Sequence, residues 1–186
     1  MKSNGKRKPL VVLVTLSFLV SISIVCGKYL AIRGGDVLRF SFENLPIILA
    51  GILFGPLAGA SVGIVADLVG CFLVGYTINP IVTVGAALIG LLSGLAWRYF
   101  VRSETLSCNV RLVLVVLISH LVGSVMIKTV GLAAFYSFPI EILFLWRLLN
   151  YVIIGVIESV LLCILFHNKL FNKTVLSVFS VREGTK

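Results

Sequence analysis

The stretch RFSFENLPIILAGILFGP, Arg39 to Pro56, sets an arginine, a glutamate, an asparagine, two prolines and two glycines in a strongly apolar chain. Its polar and apolar parts separate. RFSFEN reads as an outer loop and cap, with Glu43 or Asn44 near the helix start and Pro46 in the first turn, where a missing N–H costs least. IILAGILF reads as a short embedded helix. Gly55-Pro56 is a turn that sends the chain directly into another helix.

That pattern belongs to a membrane bundle, and the composition agrees. The 186 residues are 59% hydrophobic and 12% charged, with a mean hydropathy of +1.13. A soluble domain carries roughly a quarter charged residues. Crossing hydrocarbon takes about 20 apolar residues per helix, which leaves room for about five or six helices and little else. Helices are expected at 9–32, 43–54, 57–74, 80–99, 110–130 and 141–167, in one membrane domain covering residues 1–186. GYTINP (Gly75–Pro80) reads as a turn and GLAAFYSFP (Gly131–Pro139) as a semi-apolar loop. The basic, then apolar N-terminus resembles a signal peptide, but no small-x-small cleavage site follows, so it reads as a retained first helix. The fold class is an all-α integral membrane protein, six transmembrane helices in a compact bundle.

The net charge of +9 reads first as a topology signal, because cytoplasmic loops collect Lys and Arg. With both termini cytoplasmic, the inner segments hold Lys2, Lys6, Arg7, Lys8, Arg98, Arg102, Arg111, Lys169, Lys173, Arg182 and Lys186, eleven of the sixteen basic residues. Nucleic-acid binding is thereby disfavoured. Lys28, Arg33, Arg39, Lys128 and Arg147 fall at outer helix ends or in the first outer loop and need another reason. The four cysteines form no C-x-x-C pair and read as free thiols.

Gly51, Gly55, Gly59 and Gly63 recur every four residues, and Ala86, Gly90 and Gly94 repeat the spacing on helix 4. Small residues so placed let helices approach closely, either within the bundle or against a partner. On helix 1, Ser17 and Ser21 offer a further small face, although serine can also bond back to its own helix.

Ionisable groups within a membrane usually face a bundle interior or cavity. Helix 6 carries Arg147, Asn150, Tyr151 and Glu158 on one side, and helix 5 carries His120, Ser124 and Lys128 at four-residue spacing. Glu158 lies roughly 16 Å inward of Arg147, too far to pair with it. Lys128 and Arg147 are expected near the outer surface, as the cationic mouth of a cavity lined by amide, phenol and hydroxyl groups. Lys28, Asp67, His120 and Glu158 form a buried polar network in this reading, with Asp67 facing Lys28. No hydrolase motif appears, and GSVMIKT (Gly123–Thr129) lacks the second glycine of a phosphate loop. No ATPase site, cofactor or metal is expected.

LRFSFENLPIILAGILFGPLAGASVGIVADLVG, YTINPIVTVGAALIG, SHLVGSVMIKTVGL and FLWRLLNYVIIGVIES together resemble the substrate-binding (S) components of energy-coupling factor (ECF) vitamin transporters, most of all the folate-specific members. The resemblance covers most of residues 38–159. It implies a subunit that captures a vitamin outside and delivers it inward with a transmembrane coupling protein and two cytoplasmic ATPases, in a prokaryotic plasma membrane. It also implies a docking face on helix 1, where Ser17 and Ser21 stand in place of the family's alanines. Folate has an anionic glutamate tail and a flat pterin rich in donors and acceptors. Lys128, Arg147 and Arg39 suit the tail, Phe40, Tyr76, Trp146 and Tyr151 suit stacking, and Asn79 and Asn150 suit the pterin edge, with Glu158 or Asp67 as acceptors. The alternatives are an S component for another vitamin (riboflavin, thiamine or biotin) and a stand-alone secondary carrier.

Overall fold

Gly55 joins the two central helices without a loop. Its φ of 100° lies in a region that glycine adopts at little cost, and Pro56 opens the next helix with no N–H to satisfy. The structure is a computed structural model and describes residues 9–34, 38–101, 106–136, 139–169 and 171. Helix α1 (Pro9–Ile24) continues as a π-helical turn, Val25–Tyr29, and is followed by an antiparallel hairpin of β1 (Ile32–Gly34) and β2 (Leu38–Phe40). Then come α2 (Asn44–Phe54), α3 (Pro56–Val74) and α4 (Pro80–Val101). Helix α5 (Cys108–Ser119) passes through a π-helical segment, His120–Ile127, into α6 (Lys128–Tyr136), and α7 (Ile140–His167) closes the order.

Five of these rods are long and apolar enough to cross a membrane: Leu10–Tyr29, Pro56–Val74, Pro80–Val101, Cys108–Phe135 and Ile140–His167. The eleven-residue α2 is about 16 Å long, short of a hydrocarbon core about 30 Å thick. Among the described residues there are therefore six helical rods, five of them of spanning length. Lys2, Lys6, Arg7, Lys8, Arg102, Lys173, Arg182 and Lys186 lie outside the described residues.

Three expectations change. The first helix, expected over 9–32, ends at Tyr29, because Ile32 pairs with Phe40 in the hairpin instead. The segment from Gly131 is not a loop: the helix continues through Tyr136, because Leu132, Ala133 and Ala134 are good helix formers and nothing breaks the run before Pro139. The stretch before α2, expected as an outer loop and cap, is partly packed into the protein. Part of it is the β2 strand, Ser41 and Asn44 are buried, and Glu43 is half-buried. Non-helical backbone at membrane depth is tolerated where protein covers it or where it lines a cavity.

The glycine rows pack within the bundle. Helix α2 lies among α1, α3 and α4, with Ile47, Ile48 and Ala50 almost wholly enclosed. Gly90 rests on the Gly59 carbonyl, Gly63 on the Ala86 carbonyl, and Gly94 on Pro56. These backbone contacts replace the hydrophobic drive that lipid does not supply. Docking to a partner is not needed to explain them.

Candidate functional site

Three further glycines make room for charge. Gly70 admits the stem of Lys28, Gly85 that of Lys128, and Gly27 the side chain of Glu43; an added Cβ at each would lie 2.6–2.8 Å from atoms of those side chains. The bundle thus seats two lysines and a glutamate where larger residues would exclude them.

Two of these groups, Lys28 and Glu43, line a cavity of about 230 Å³ together with Asp67, Cys71, Tyr76, Thr77, Asn79, Val82 and Leu132. Its volume falls somewhat below the range of small-ligand pockets, about 300–1,000 Å³. A second space of about 10 Å³ shares Lys28, Glu43 and Asp67 and reaches Lys128, with room for about one water. The cavity lies beside the turn before α4, and α6 forms part of its wall.

Its lining carries one lysine, Lys28, and two carboxylates, Glu43 and Asp67, while Lys128 reaches only the smaller space beside it. Lys128 Nζ donates to Glu43 Oε1 at 3.1 Å and to Asn44 Oδ1 at 3.4 Å. Lys28 Nζ donates to Cys71 Sγ at 3.5 Å and lies 5.6 Å above the Tyr76 ring. Asp67 Oδ2 accepts from Thr83 at 2.7 Å, and the Cys71 thiol lies 3.9 Å from Asp67 Oδ1. The thiol therefore stands between Lys28 and Asp67, where a direct facing pair was expected.

A second polar group lies on α7 and the π-helical segment. Glu158 is wholly buried, and its Oε2 is 2.7 Å from His120 Nε2. The His120 ring stacks on Tyr151, with centroids 5.1 Å apart. Arg147 donates to the Ser124 carbonyl at 3.0 Å and to the Tyr151 hydroxyl at 3.4 Å, with its guanidinium 5.3 Å from the Tyr151 ring centroid. Asn150 is buried nearby on α7.

The residues singled out from sequence thus fall into several places. Tyr76 and Asn79 line the cavity with Lys28 and Asp67. Both ends of the Asn79 amide are engaged, capping α4 at Ile81 N (3.0 Å) and Val82 N (3.4 Å) and donating to the Gly131 carbonyl at 2.8 Å. Lys128 is no open cation at a mouth: it is 4% exposed and paired with Glu43. Arg147, Asn150, Tyr151, His120 and Glu158 form the second group. Trp146 is 44% exposed. Phe40 is half-buried on β2, and Arg39 stands opposite Arg33 in the hairpin register. Ser17 and Ser21 are exposed on α1, each bonded at 3.0 Å to a carbonyl of its own helix.

Sequence reasoning missed Glu43, Asn44, Cys71 and Thr83 as members of one constellation. The available signal was charge balance: Glu43 follows Lys28, Arg33 and Arg39 in the sequence, with Asp36 as the one other acid between Lys28 and Asn44.

A cavity lined by half-buried charges of both signs, within a bundle of apolar helices, suits a small polar molecule. Comparison with known proteins narrows this. Residues 11–177 match the family described as ECF transporter, substrate-specific component, and the chain belongs to that family. It is 25% identical over 158 residues to the protein named Folate transporter FolT of Clostridium novyi (strain NT), covering 81% of this chain and 85% of that one. Two crystal structures share the fold. FolT bound with folic acid superposes with a TM-score of 0.64 at 23% identity, covering 80% of this chain and 87% of the other. The S-component for biotin from an ECF-type ABC transporter gives 0.56 at 18% identity, covering 87% and 94%.

Proposed function

We propose that this S component binds folate, capturing it outside the cell and delivering it inward with a transmembrane coupling protein and two cytoplasmic ATPases. The observation that carries the reading is the cavity lined by Lys28, Glu43 and Asp67 with Tyr76 as an aromatic wall, in a chain whose similar proteins include a folate transporter. A neutral, flat heterocycle rich in donors and acceptors suits such a cavity better than a dianion does. The pterin sits there, its amino and ring N–H edge donating to Asp67 and Glu43 and its carbonyl accepting from Lys28. Tyr76 covers one ring face. The glutamate tail extends toward the hairpin and Arg39, with Phe40 beside the aminobenzoate and Arg147 as a second cation for the carboxylates. Asn150 and Tyr151 support Arg147. Lys128 serves the cavity floor through Glu43, and Trp146 belongs to the lipid boundary.

The distribution of Lys and Arg supports cytoplasmic termini, which orients the hairpin and the cavity outward in a prokaryotic plasma membrane. Ser17 and Ser21 lie on the exposed side of α1 with Leu13, Val14 and Phe18. With their hydroxyls bonded back into the helix, they leave a smooth stripe for the coupling protein. Ser17→Leu with Ser21→Leu is expected to leave folate affinity unchanged and to lower ATP-dependent uptake about tenfold or more, since a bulky side chain in a close helix contact prevents approach. Uptake by vesicles holding the full complex, beside titration of the isolated subunit, separates the two effects; unchanged uptake would remove the docking assignment.

The cargo is tested by thermal shift of the purified protein against folate, riboflavin, thiamine and biotin. Folate alone is expected to raise the melting midpoint; a rise with another vitamin and none with folate reassigns it. Ion-driven vitamin uptake by vesicles containing this chain alone would favour the stand-alone carrier.

A further inference from the structure

The buried His120–Glu158 pair takes no part in the cavity, yet a run of hydrogen bonds connects it to the cavity wall. Lys128 Nζ, which holds Glu43 at 3.1 Å, also donates to Asn44 Oδ1 at 3.4 Å. The Asn44 Nδ2 donates to Ser124 Oγ at 3.4 Å. Ser124 Oγ lies 3.3 Å from His120 Nδ1, and His120 Nε2 lies 2.7 Å from Glu158 Oε2. All of these residues except Glu43 are buried. The groups come from α2, α6, the π-helical segment and α7, so the run ties the bundle's two halves together.

Donor and acceptor chemistry gives the run one consistent direction. A carboxylate at Glu158 accepts from His120 Nε2, and a ring carrying that single proton leaves Nδ1 as an acceptor. Ser124 then donates to Nδ1, which leaves its lone pairs for Asn44. The Asn44 amide must turn its nitrogen to Ser124 and its oxygen to Lys128. Every link donates in the same sense, from Lys128 toward Glu158. A network satisfied in one direction holds its members in one orientation.

We propose that His120 and Ser124 are positioning residues for the cavity. They orient the Asn44 amide, and through it Lys128 and the cavity-facing carboxylate of Glu43, while Glu158 holds the ring tautomer. The proposal rests on reading the cavity as the folate site.

The test is a double-mutant cycle on the full chain in detergent, with calorimetric folate titration of the wild type, Ser124→Ala, Glu43→Gln and the double variant. Ser124→Ala is expected to weaken folate about fivefold or more, with the double variant no weaker than Glu43→Gln alone, as residues in one network couple. His120→Asn keeps an acceptor at the Nδ1 position and should retain affinity, while His120→Gln should lose it. Wild-type affinity in Ser124→Ala, or losses that multiply in the double variant, would overturn the proposal. Failure of the wild type to bind folate would count against the cargo alone. The relay is then judged from the melting midpoints of the same four ligand-free proteins: non-additive shifts support it and additive shifts overturn it.

Discussion

Gly90→Leu is expected to abolish the folded protein. Gly90 lies where α4 meets α3 with only backbone between them, so even the Cβ of an added side chain would overlap the Gly59 carbonyl and crowd Ala60 N. The neighbour that would have to move is a helix backbone, itself held against Gly51 of α2. Overpacking costs typically about 1–3 kcal/mol where side chains can yield, and more where they cannot. Gly90→Ala should lower the melting midpoint in detergent sharply, and Gly90→Leu should leave only aggregate on size exclusion. Gly75, at the turn after α3, has open space where a side chain would project. A leucine there should keep the monodisperse peak apart from the strain of its φ of 69°, which isolates close packing as the cause at Gly90.

Glu43→Ala is expected to be the most damaging single change among the charged residues. It leaves the Lys128 ammonium, 4% exposed, with only Asn44 as a described hydrogen-bond partner. Removing one member of a buried pair typically costs about 3–5 kcal/mol, because the surviving charge stays desolvated. Replacing both members with apolar groups is often neutral, so Glu43→Ala with Lys128→Met should recover much of the melting midpoint. Folate affinity should not recover with it, since the carboxylate facing the cavity is still missing. Recovery of binding together with stability would mean that Glu43 serves the fold alone.

How much of this could be read in advance depended on the range of the interaction. Pro46, Gly55-Pro56 and Pro80 mark helix starts through local backbone chemistry, and those boundaries lie within a residue or two of the structure. The stripe of His120, Ser124 and Lys128 follows from helical spacing alone, and all three are buried. The partner of Lys128 is 85 positions away in the chain, and no periodicity connects α6 to the start of α2. Lys128 therefore looked like an open cation when read with its own helix. The same limit applies to Asn79. Its type suits a ligand edge, but it also suits a helix cap, and the cap is what the turn before Pro80 makes of it. The π-helical segments have no sequence signal either; they re-aim His120 and Lys128 through backbone register. The glycines that seat Lys28, Lys128 and Glu43 were visible as small residues, but which side chain each one admits is a tertiary fact.

Calorimetric titration of the purified wild-type chain with folate tests the central claim most directly, run beside Asp67→Asn. The account predicts saturable one-to-one binding by the wild type and a loss of about tenfold or more in Asp67→Asn, in keeping with a lost charge-assisted hydrogen bond worth about 1.5–3 kcal/mol. Absence of folate binding by a monodisperse wild-type protein, with saturable binding of another vitamin, would contradict it.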